Sequence, residues 1–218
     1  MLNNLNKSKI CTFDKYNVKN RANIMNLLIN HSSMLFEAGC DEVGRGCLCG
    51  PVVAAAVILP KNFMQNSVKD SKLLKSKKRL ELDVYIKDNC LAYSIAEVSR
   101  EIIDEKNILN ASIFAMHNAL DQLQKEPDFI IIDGNKFYPY KNIPHECIIK
   151  GDSKYLSIAA ASILAKNYRD QLMIELHNDF PQYGWSKNMG YATKVHREAL
   201  KQYGPTIHHR QSFRLNYD

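Results

Sequence analysis

One stretch, from Phe36 to Leu59, constrains the fold of this chain more than any other. It is FEAGCDEVGRGCLCGPVVAAAVIL, in which two adjacent acids, Asp41 and Glu42, precede a glycine-rich segment and an uninterrupted apolar run that begins at Val52. Small and β-branched apolar runs bounded by Gly and Pro are typical of strands, so the stretch predicts two strands joined by a tight connection. Carboxylates at the tip of a strand, beside a backbone loop that can approach a ligand closely, indicate a site for phosphate and metal.

The composition indicates an ordinary globular protein. A chain of 218 residues, 45% hydrophobic and 24% charged, is long enough for one good core without disulfides. No apolar window approaches the ~18 residues of a membrane span, and the polar N-terminus has no secretory signal. The six cysteines are scattered, and Cys47 and Cys49 have the wrong spacing for a zinc knuckle, which favours reduced thiols and a cytoplasmic location. The net charge of +6 is compatible with a polyanionic partner but does not establish one.

Strand and helix patterns alternate after the opening pair, which predicts a mixed sheet flanked by helices. The predicted elements are a helix over Ser76–Asn89, a strand over Leu91–Ser99, a helix over Ile108–Gln124, strands over Asp128–Gly134 and Glu146–Lys150, a helix over Leu156–Asn178, a loop over Tyr183–Met189 and a helix over Thr193–Gln202. Residues 1–34 are predicted to be a polar extension, in which Ile24–Ile29 is compatible with a short helical turn.

Acids terminate three separate predicted strands: Asp41 with Glu42, then Asp133, then Asp152. Strand ends on one edge of an α/β sheet are where such folds place their sites. Four converging carboxylates would repel one another unless cations lay between them, and hard oxygen ligands favour Mg²⁺ or Mn²⁺. Two such ions ~4 Å apart are the usual arrangement for in-line attack on a phosphodiester.

Each acid also has a simpler explanation. A lone Asp after an apolar strand is more often a turn former or a helix cap than a ligand. Asp41 and Glu42 are neighbours on a strand, so a regular strand points them to opposite faces. We therefore expect the pleat to be distorted there if both acids face one site.

Seven blocks of the sequence, in order, resemble ribonuclease HII. They are GCDEVGRGCLCGPVVAAAVIL, DSKLL, NILNASIFAM, IIDGNKF, KGDSKYLSIAAASILAKNYRD, MGYATKVH and YGPTIHHRQSF. The resemblance implies a ribonuclease-H-like fold of class α/β, with a mixed central sheet flanked by helices and a helical C-terminal part, in a catalytic domain over residues 35–218. It also implies a hydrolase that cuts RNA in RNA/DNA hybrids and incises 5′ of single ribonucleotides embedded in duplex DNA, leaving 3′-hydroxyl and 5′-phosphate ends.

The resemblance assigns the catalytic metal ligands to Asp41, Glu42, Asp133 and Asp152, with two Mg²⁺ or Mn²⁺ ions in the substrate complex. Asp170 is a rival for the fourth position. We favour Asp152 because KGD matches the family block, whereas Asp170 lies four residues after Lys166, where a surface ion pair is the ordinary explanation.

The resemblance also assigns the nucleic-acid-binding positions. The family's reading loop matches Gly44, Arg45 and Gly46, where small residues let the backbone reach the ribose 2′-hydroxyl. Tyr191 matches a tyrosine that stacks beneath a sugar; its alternative is a packing tyrosine at a helix entry. His196 has no assigned role. Lys72 matches a family position near the substrate phosphates. From their spacing of four and three residues, Ser162, Lys166 and Arg169 share one face of the predicted long helix, which is compatible with contact to a nucleic-acid backbone; a solvated charged face is the alternative.

Two alternative functions remain open on the sequence. Ribonuclease HIII is the nearest, but that family usually has an extra N-terminal domain and GKG where this chain has GRG. The other is a non-catalytic protein that binds RNA/DNA hybrids. Expected partners are RNA/DNA hybrid and ribonucleotide-containing duplex DNA, with no membrane; a monomer is the family expectation, and no sliding-clamp peptide is recognisable.

Overall fold

Five strands form one mixed sheet in the computed structural model, which describes residues 27–63 and 76–215. The strands are β1 (Glu37–Val43), β2 (Val52–Ile58), β3 (Ala92–Val98), β4 (Phe129–Asp133) and β5 (His145–Ile148). The helices are α1 (Ser76–Asn89), α2 (Arg100–Lys106), α3 (Ile108–Asp121), α4 (Leu156–Asp179), α5 (Trp185–Asn188) and α6 (Lys194–Tyr203), with 3₁₀ turns at Gly151–Ser153 and Pro181–Tyr183.

The strand order is β3-β2-β1-β4-β5, with the opening pair at the centre. β1 pairs antiparallel with β2 and parallel with β4, while β3 and β5 form the two edges. The predicted mixed sheet and the two opening strands are therefore confirmed, although residues 44–51 form a longer connection than the tight one expected. The carboxyl ends of β1, β4 and β5 lie on the same edge, because these three strands run parallel.

The central strands β2 and β4 are buried on both faces, which explains their unbroken apolar runs, whereas the edge strand β3 exposes alternate residues. On one face, Ala38 and Cys40 pack with α3 residues such as Met116 in the larger core. On the other face, alternate strand residues pack against α4 in a second core. The first turn of α4 lies directly on β1 at Gly39, where a Cβ atom would collide with the backbone of Ser157 and Ile158. Glycine at this position therefore fixes the distance between the end of β1 and the start of α4.

The structure corrects several predicted elements. The helix predicted to reach Gln124 ends at Asp121, α2 was not predicted, and the loop predicted over Tyr183–Met189 contains a 3₁₀ turn and α5. The helical turn predicted over Ile24–Ile29 lies partly outside the described residues. Within them, Leu28 exchanges backbone hydrogen bonds with Lys154 and Leu156, so this part of the extension pairs with the chain just before α4.

A smaller third core joins the C-terminal helices to the β1–β2 connection. Trp185 and Tyr183 are buried there with Met173 of α4 and Cys49 of the connection. The short helices are therefore packed onto the open end of the sheet, beside the end of β1. Over the ranges described here, no helix is long and apolar enough to cross a membrane.

Candidate active site

A cavity of about 330 Å³ opens at the carboxyl end of β1, between the β1–β2 connection and α4. Its lining includes the acids Asp41 and Glu42 of β1 and three cations: Arg45 of the β1–β2 connection, Arg79 of α1 and Lys166 of α4. A cavity lined by both carboxylates and cations can hold metal ions at the carboxylates and phosphate at the cations. Its lining residues are Asp41, Glu42, Val43, Gly44, Arg45, Gly46, Arg79, Ser162, Lys166 and Tyr191.

The acids of β1 and β4 are close enough to oppose one another's ionisation. Burial, and then the charges of Glu42 and Asp133, raise the pKa of Asp41 well above its ordinary value, although the Ser162 hydroxyl donates a hydrogen bond to it. Burial also raises the pKa of Glu42, against the opposing effect of Arg45, and Asp133 raises it further. A cation bound between these three carboxylates would stabilise their charged forms.

Glu42 has one oxygen prepared for a ligand. Its Oε1 accepts a hydrogen bond from Arg45 Nη1 at 3.0 Å, whereas its Oε2 is buried and has no hydrogen-bond partner among the described residues. An unpaired buried carboxylate oxygen is costly unless a ligand satisfies it. The residues present therefore fit a divalent cation with oxygen ligands.

The predicted distortion of β1 is wrong. Asp41 pairs with Ala55 and Glu42 with Ala54 in unbroken antiparallel register with β2. On the other side of β1, the parallel pairing with β4 ends at Cys40. From Asp41 onward, β1 therefore pairs with β2 and not with β4. Both acids line the cavity because it lies at this open strand end, where neighbouring side chains can reach one space without a broken pleat.

Asp133, the last residue of β4, is hydrogen-bonded to the backbone of the segment that contains Asp152, which follows β5. Oδ1 of Asp133 accepts a hydrogen bond from the amide of Gly151 at 2.7 Å, and Asp152 is the next residue, buried in the 3₁₀ turn before α4. The structure thus brings Asp41, Glu42 and Asp133 into mutual interaction and places Asp152 beside the segment that binds Asp133. In the described part of the chain, these acids do not form a group of three whose oxygens all lie within 4.8 Å of one another.

Asp170 has the ion pair that the sequence predicted, but it is not on the surface. It is buried, Lys166 Nζ lies 2.5 Å from its Oδ1, and Arg79 Nη2 lies 2.7 Å from its Oδ2. Two cations of the cavity wall are therefore anchored by one buried carboxylate. Arg79 was missed by the sequence analysis, because nothing distinguishes it from the other charges of α1.

The structure contradicts the prediction that Arg169 contacts nucleic acid. Its side chain is fully buried, and its guanidinium donates to the carbonyl oxygens of Cys49, Pro51 and Met189 at 2.8–3.0 Å. The shared helical face with Ser162 and Lys166 was correctly recognised, but it turns into the β1–β2 connection by the position of Arg169. A Cβ at Gly44, where φ is +95°, would collide with this side chain.

A second buried arginine that the sequence analysis did not identify holds the same connection. Arg210 donates to the carbonyl oxygens of Arg45, Gly50 and Pro51 at 2.9–3.2 Å. Together with Arg169, it fixes the path of residues 44–51. The backbone of the glycine loop is therefore preorganised rather than free.

Tyr191 lies across a narrow gap from Gly46. A Cβ at Gly46 would lie 3.9 Å from Cε1 of Tyr191, and the tyrosine hydroxyl donates a hydrogen bond to Cys47. The side chain remains 41% exposed, so part of the ring is available to a ligand. His196 lies beneath it, fully buried, with Nδ1 2.9 Å from the Tyr191 carbonyl oxygen. Lys72, also predicted to bind nucleic acid, lies outside the described residues.

The sheet topology, the acids at its open edge and the flanking helices define a ribonuclease-H-like nuclease. The family model of ribonuclease HII matches residues 38–217. A ribonuclease HII from Christiangramia forsetii is 58% identical over 185 residues, covering 85% of this chain and 93% of that protein. The chain belongs to the ribonuclease HII family, and it is a ribonuclease H that acts on RNA/DNA hybrids with the divalent-metal dependence of that family.

Two solved structures are similar to the whole fold. The ribonuclease H2 of Pyrococcus horikoshii has a TM-score of 0.71 at 27% identity, covering 83% of this chain and 94% of that chain. The ribonuclease HII of Archaeoglobus fulgidus, solved in complex with PCNA, has a TM-score of 0.72 at 28% identity and covers 84% of this chain and 98% of that chain. The fold predicted from the sequence is therefore confirmed.

Proposed function

We propose that this enzyme incises duplex DNA on the 5′ side of single embedded ribonucleotides, in addition to cutting longer RNA/DNA hybrids, and leaves 3′-hydroxyl and 5′-phosphate ends. One observation carries the proposal: the preorganised Gly44–Gly46 backbone faces Tyr191 at the mouth of the cavity that Asp41 and Glu42 line. A site that recognises one ribose next to the acids can select a single ribonucleotide for cleavage, without a second one beside it. The 2′-hydroxyl is the group that would distinguish this sugar from deoxyribose.

The glycine loop and Tyr191 are the groups that would recognise the ribose. Backbone groups of Gly44, Arg45 and Gly46 can approach a ribose closely, because neither glycine has a side chain and the buried Arg169 and Arg210 fix the path of residues 44–51. The exposed part of the Tyr191 ring supports stacking against a sugar or base. Selectivity arises because a deoxyribose would leave the loop's polar groups without a partner.

Asp41, Glu42, Asp133 and Asp152 are the residues that would hold Mg²⁺ or Mn²⁺, two ions in the substrate complex. The ions would supply Lewis-acid stabilisation of charge at the scissile phosphate and activation of water. Ser162 keeps the Asp41 carboxylate oriented through its hydroxyl. Fixed by Asp170, the cations Lys166 and Arg79 are positioned to bind a phosphate of the substrate strand.

We also propose roles for parts of the chain away from the cavity. Lys72 remains a predicted contact of the substrate backbone, and Arg169 is not proposed to bind nucleic acid. Residues 35–218 would form the catalytic domain, following the extension at 1–34. A cytoplasmic monomer that acts in ribonucleotide excision repair is the remaining expectation, consistent with five cysteines that are free in the described residues.

Two other functions are less well supported. The similarity to ribonuclease HII over residues 38–217, together with Arg at position 45, disfavours a ribonuclease HIII. A non-catalytic hybrid-binding protein is disfavoured because Oε2 of Glu42, beside Asp41 and Asp133, has no partner in the part of the chain that the structure describes, and uncompensated carboxylates repel phosphate.

A cleavage assay tests the proposal on three matched duplexes: one with a single ribonucleotide, one fully hybrid and one all-DNA. We expect cleavage of the first two in Mg²⁺ or Mn²⁺ and none in excess chelator. The single-ribonucleotide product should end in a 3′-hydroxyl immediately 5′ of the ribonucleotide, which extension by a polymerase would reveal. Cleavage of the hybrid without the single-ribonucleotide duplex would contradict the proposal, and binding without cleavage would favour the non-catalytic alternative.

A further inference from the structure

A buried cluster of polar side chains lies directly under Tyr191. Among residues 27–63 and 76–215, Cys49, His196 and His209 form the group whose potential metal-ligand atoms all lie within 4.8 Å of one another. All three side chains are buried, and Trp185 contacts both imidazoles. Two explanations compete: a soft-metal site or a chain of hydrogen bonds between neutral rings.

The hydrogen-bond partners of His196 determine its tautomer. Nδ1 lies 2.9 Å from the carbonyl oxygen of Tyr191, which can only accept, so Nδ1 carries the proton. Nε2 lies 3.1 Å from the indole N–H of Trp185, which can only donate. His196 is therefore neutral, with its acceptor nitrogen facing Trp185.

The same reasoning determines the tautomer of His209. Its Nε2 lies 3.0 Å from Nε2 of His196, which is an acceptor, so Nε2 of His209 carries the proton. Its Nδ1 accepts from the amide of Thr206 at 2.9 Å. The pKa of each imidazole is lowered by burial, that of His209 to about 4, which agrees with two neutral rings.

This arrangement disfavours a metal. A ligating imidazole needs a free lone pair, but Trp185 and His209 both donate to Nε2 of His196. Burial also raises the pKa of the Cys49 thiol far above its ordinary value, so this thiol keeps its proton. Each ring nitrogen of His196 and His209 thus has a hydrogen-bond partner without an ion.

The cluster connects the two sides of the gap between Gly46 and Tyr191. On one side, His209 donates a hydrogen bond to His196, and His196 donates one to the carbonyl oxygen of Tyr191. On the other side, the neighbouring Arg210 holds the carbonyl of Arg45 within the glycine loop. The segment 206–210 therefore contacts both the loop and the support of the tyrosine.

We propose that His196 is a positioning residue for ribonucleotide recognition, which sets Tyr191 against the glycine loop by donating its Nδ1–H to the Tyr191 carbonyl, with His209 fixing the required tautomer. This inference rests on the proposed function of Tyr191. It assigns a role in substrate discrimination to two residues that touch neither substrate nor metal.

A pair of His196 variants tests the inference. The side-chain amide of His196→Asn can replace the Nδ1 donor, whereas that of His196→Gln lies near the position of Nε2 and leaves the carbonyl without its donor. We expect both to lower the melting temperature, because each disturbs a buried network. The ratio of kcat/KM on the single-ribonucleotide duplex to kcat/KM on the long hybrid should stay within about three-fold of the native ratio in His196→Asn and fall about ten-fold in His196→Gln. Equal ratios in the two variants would overturn the inference.

Tyr191→Ala separates this inference from the function on which it depends. If Tyr191→Ala leaves the substrate ratio unchanged, the proposed reading role of Tyr191 itself fails. If Tyr191→Ala lowers the ratio and His196→Gln does not, the role of Tyr191 survives and the positioning role of His196 is wrong.

A spectroscopic measurement on the unmodified protein does not depend on variants that fold. Long-range ¹H–¹⁵N correlation of the imidazoles should find the proton on Nδ1 of His196 and on Nε2 of His209, unchanged by one equivalent of Zn²⁺. The opposite tautomer at His196, or stoichiometric Zn²⁺ binding that shifts both rings, would replace the hydrogen-bond chain with a metal site and overturn the inference.

Discussion

Nη1 of Arg45 lies 3.0 Å from Oε1 of Glu42, so the side chain of the glycine loop is ion-paired with a proposed metal ligand. Arg45 is half exposed, with 48% of its side-chain surface accessible, so the pair is worth about 0.5 kcal/mol. Arg45 and a divalent cation therefore compete for the same carboxylate.

This competition predicts the metal dependence of Arg45→Gln. With the guanidinium removed, Mn²⁺ should bind about two-fold more tightly, as measured by isothermal titration calorimetry without substrate, because the positive charge paired with Oε1 of Glu42 no longer repels an ion at Oε2. Lys187→Gln, a loss of the same charge on α5, is the matched control and should leave metal affinity unchanged. Weaker Mn²⁺ binding by Arg45→Gln would contradict the competition.

Asp41→Asn should separate stability from activity. Burial and the charges of Glu42 and Asp133 raise the pKa of Asp41 in the folded protein, so its contribution to stability is present at acid pH and lost as the pH rises through the folded-state pKa. At pH 7.5 without metal, the neutral amide should therefore raise the free energy of unfolding by about 1 kcal/mol, or the melting temperature by about 3 °C. Cleavage should be abolished while hybrid binding is kept.

Thermal melting in chelator and a filter-binding assay check these outcomes. Asp133→Asn should likewise abolish cleavage and keep hybrid binding. Asp104→Asn provides a control outside the cavity, because this acid has a lowered pKa and accepts hydrogen bonds from the tail at residues 211–212. It should lower the melting temperature and leave cleavage in place. Full turnover by Asp41→Asn in excess Mg²⁺ would falsify the assignment of Asp41 as a metal ligand.

Tyr191→Ala should harm cleavage of single embedded ribonucleotides more than cleavage of long hybrids. A long hybrid offers many registers and many 2′-hydroxyl contacts, whereas a single ribonucleotide depends on one correctly placed sugar. Loss of one stacking platform is worth about 1–3 kcal/mol, equivalent to roughly a five- to 150-fold fall in kcat/KM on the single-ribonucleotide duplex. Equal losses on both substrates in steady-state assays would count against stacking.

Arg169→Met should destabilise the protein, although the residue was predicted to bind nucleic acid. The substitution removes the guanidinium that donates to the buried carbonyls of Cys49, Pro51 and Met189, of which Pro51 keeps a second donor in Arg210, at an expected cost of about 3 kcal/mol. Lys166→Met, one turn earlier on α4, should have a smaller effect on stability but should weaken hybrid binding and reduce its salt dependence. Urea unfolding and binding at two salt concentrations distinguish the two roles.

The strand ends could be predicted from the sequence, because apolar runs and the acids that end them are local patterns. The burial of Arg169 could not, since its acceptors include carbonyls of a segment more than a hundred residues earlier in the chain. On α4, Ser162 lines the cavity and stays a predicted contact, whereas Arg169 is buried where the β1–β2 connection covers the helix. Likewise, local strand geometry led to an expected distortion at Asp41 and Glu42, which the end of pairing with β4 makes unnecessary.

The contribution of His196 and His209 to stability should fall as the pH is lowered from 6.5 toward 4, because these buried imidazoles are neutral in the fold and gain protons in the unfolded chain. Burial lowers the pKa of His209 to about 4, so its contribution is complete above the unfolded pKa of about 6.5 and is lost as the pH falls through that window. The slope approaches about 1.4 kcal/mol per pH unit for each proton taken up. Urea unfolding at intervals of half a pH unit measures it, and His209→Gln should have a shallower slope over the same range. Since Asp41 changes stability in the opposite direction, the comparison is best made in the Asp41→Asn background, where identical slopes with and without His209 would contradict the prediction.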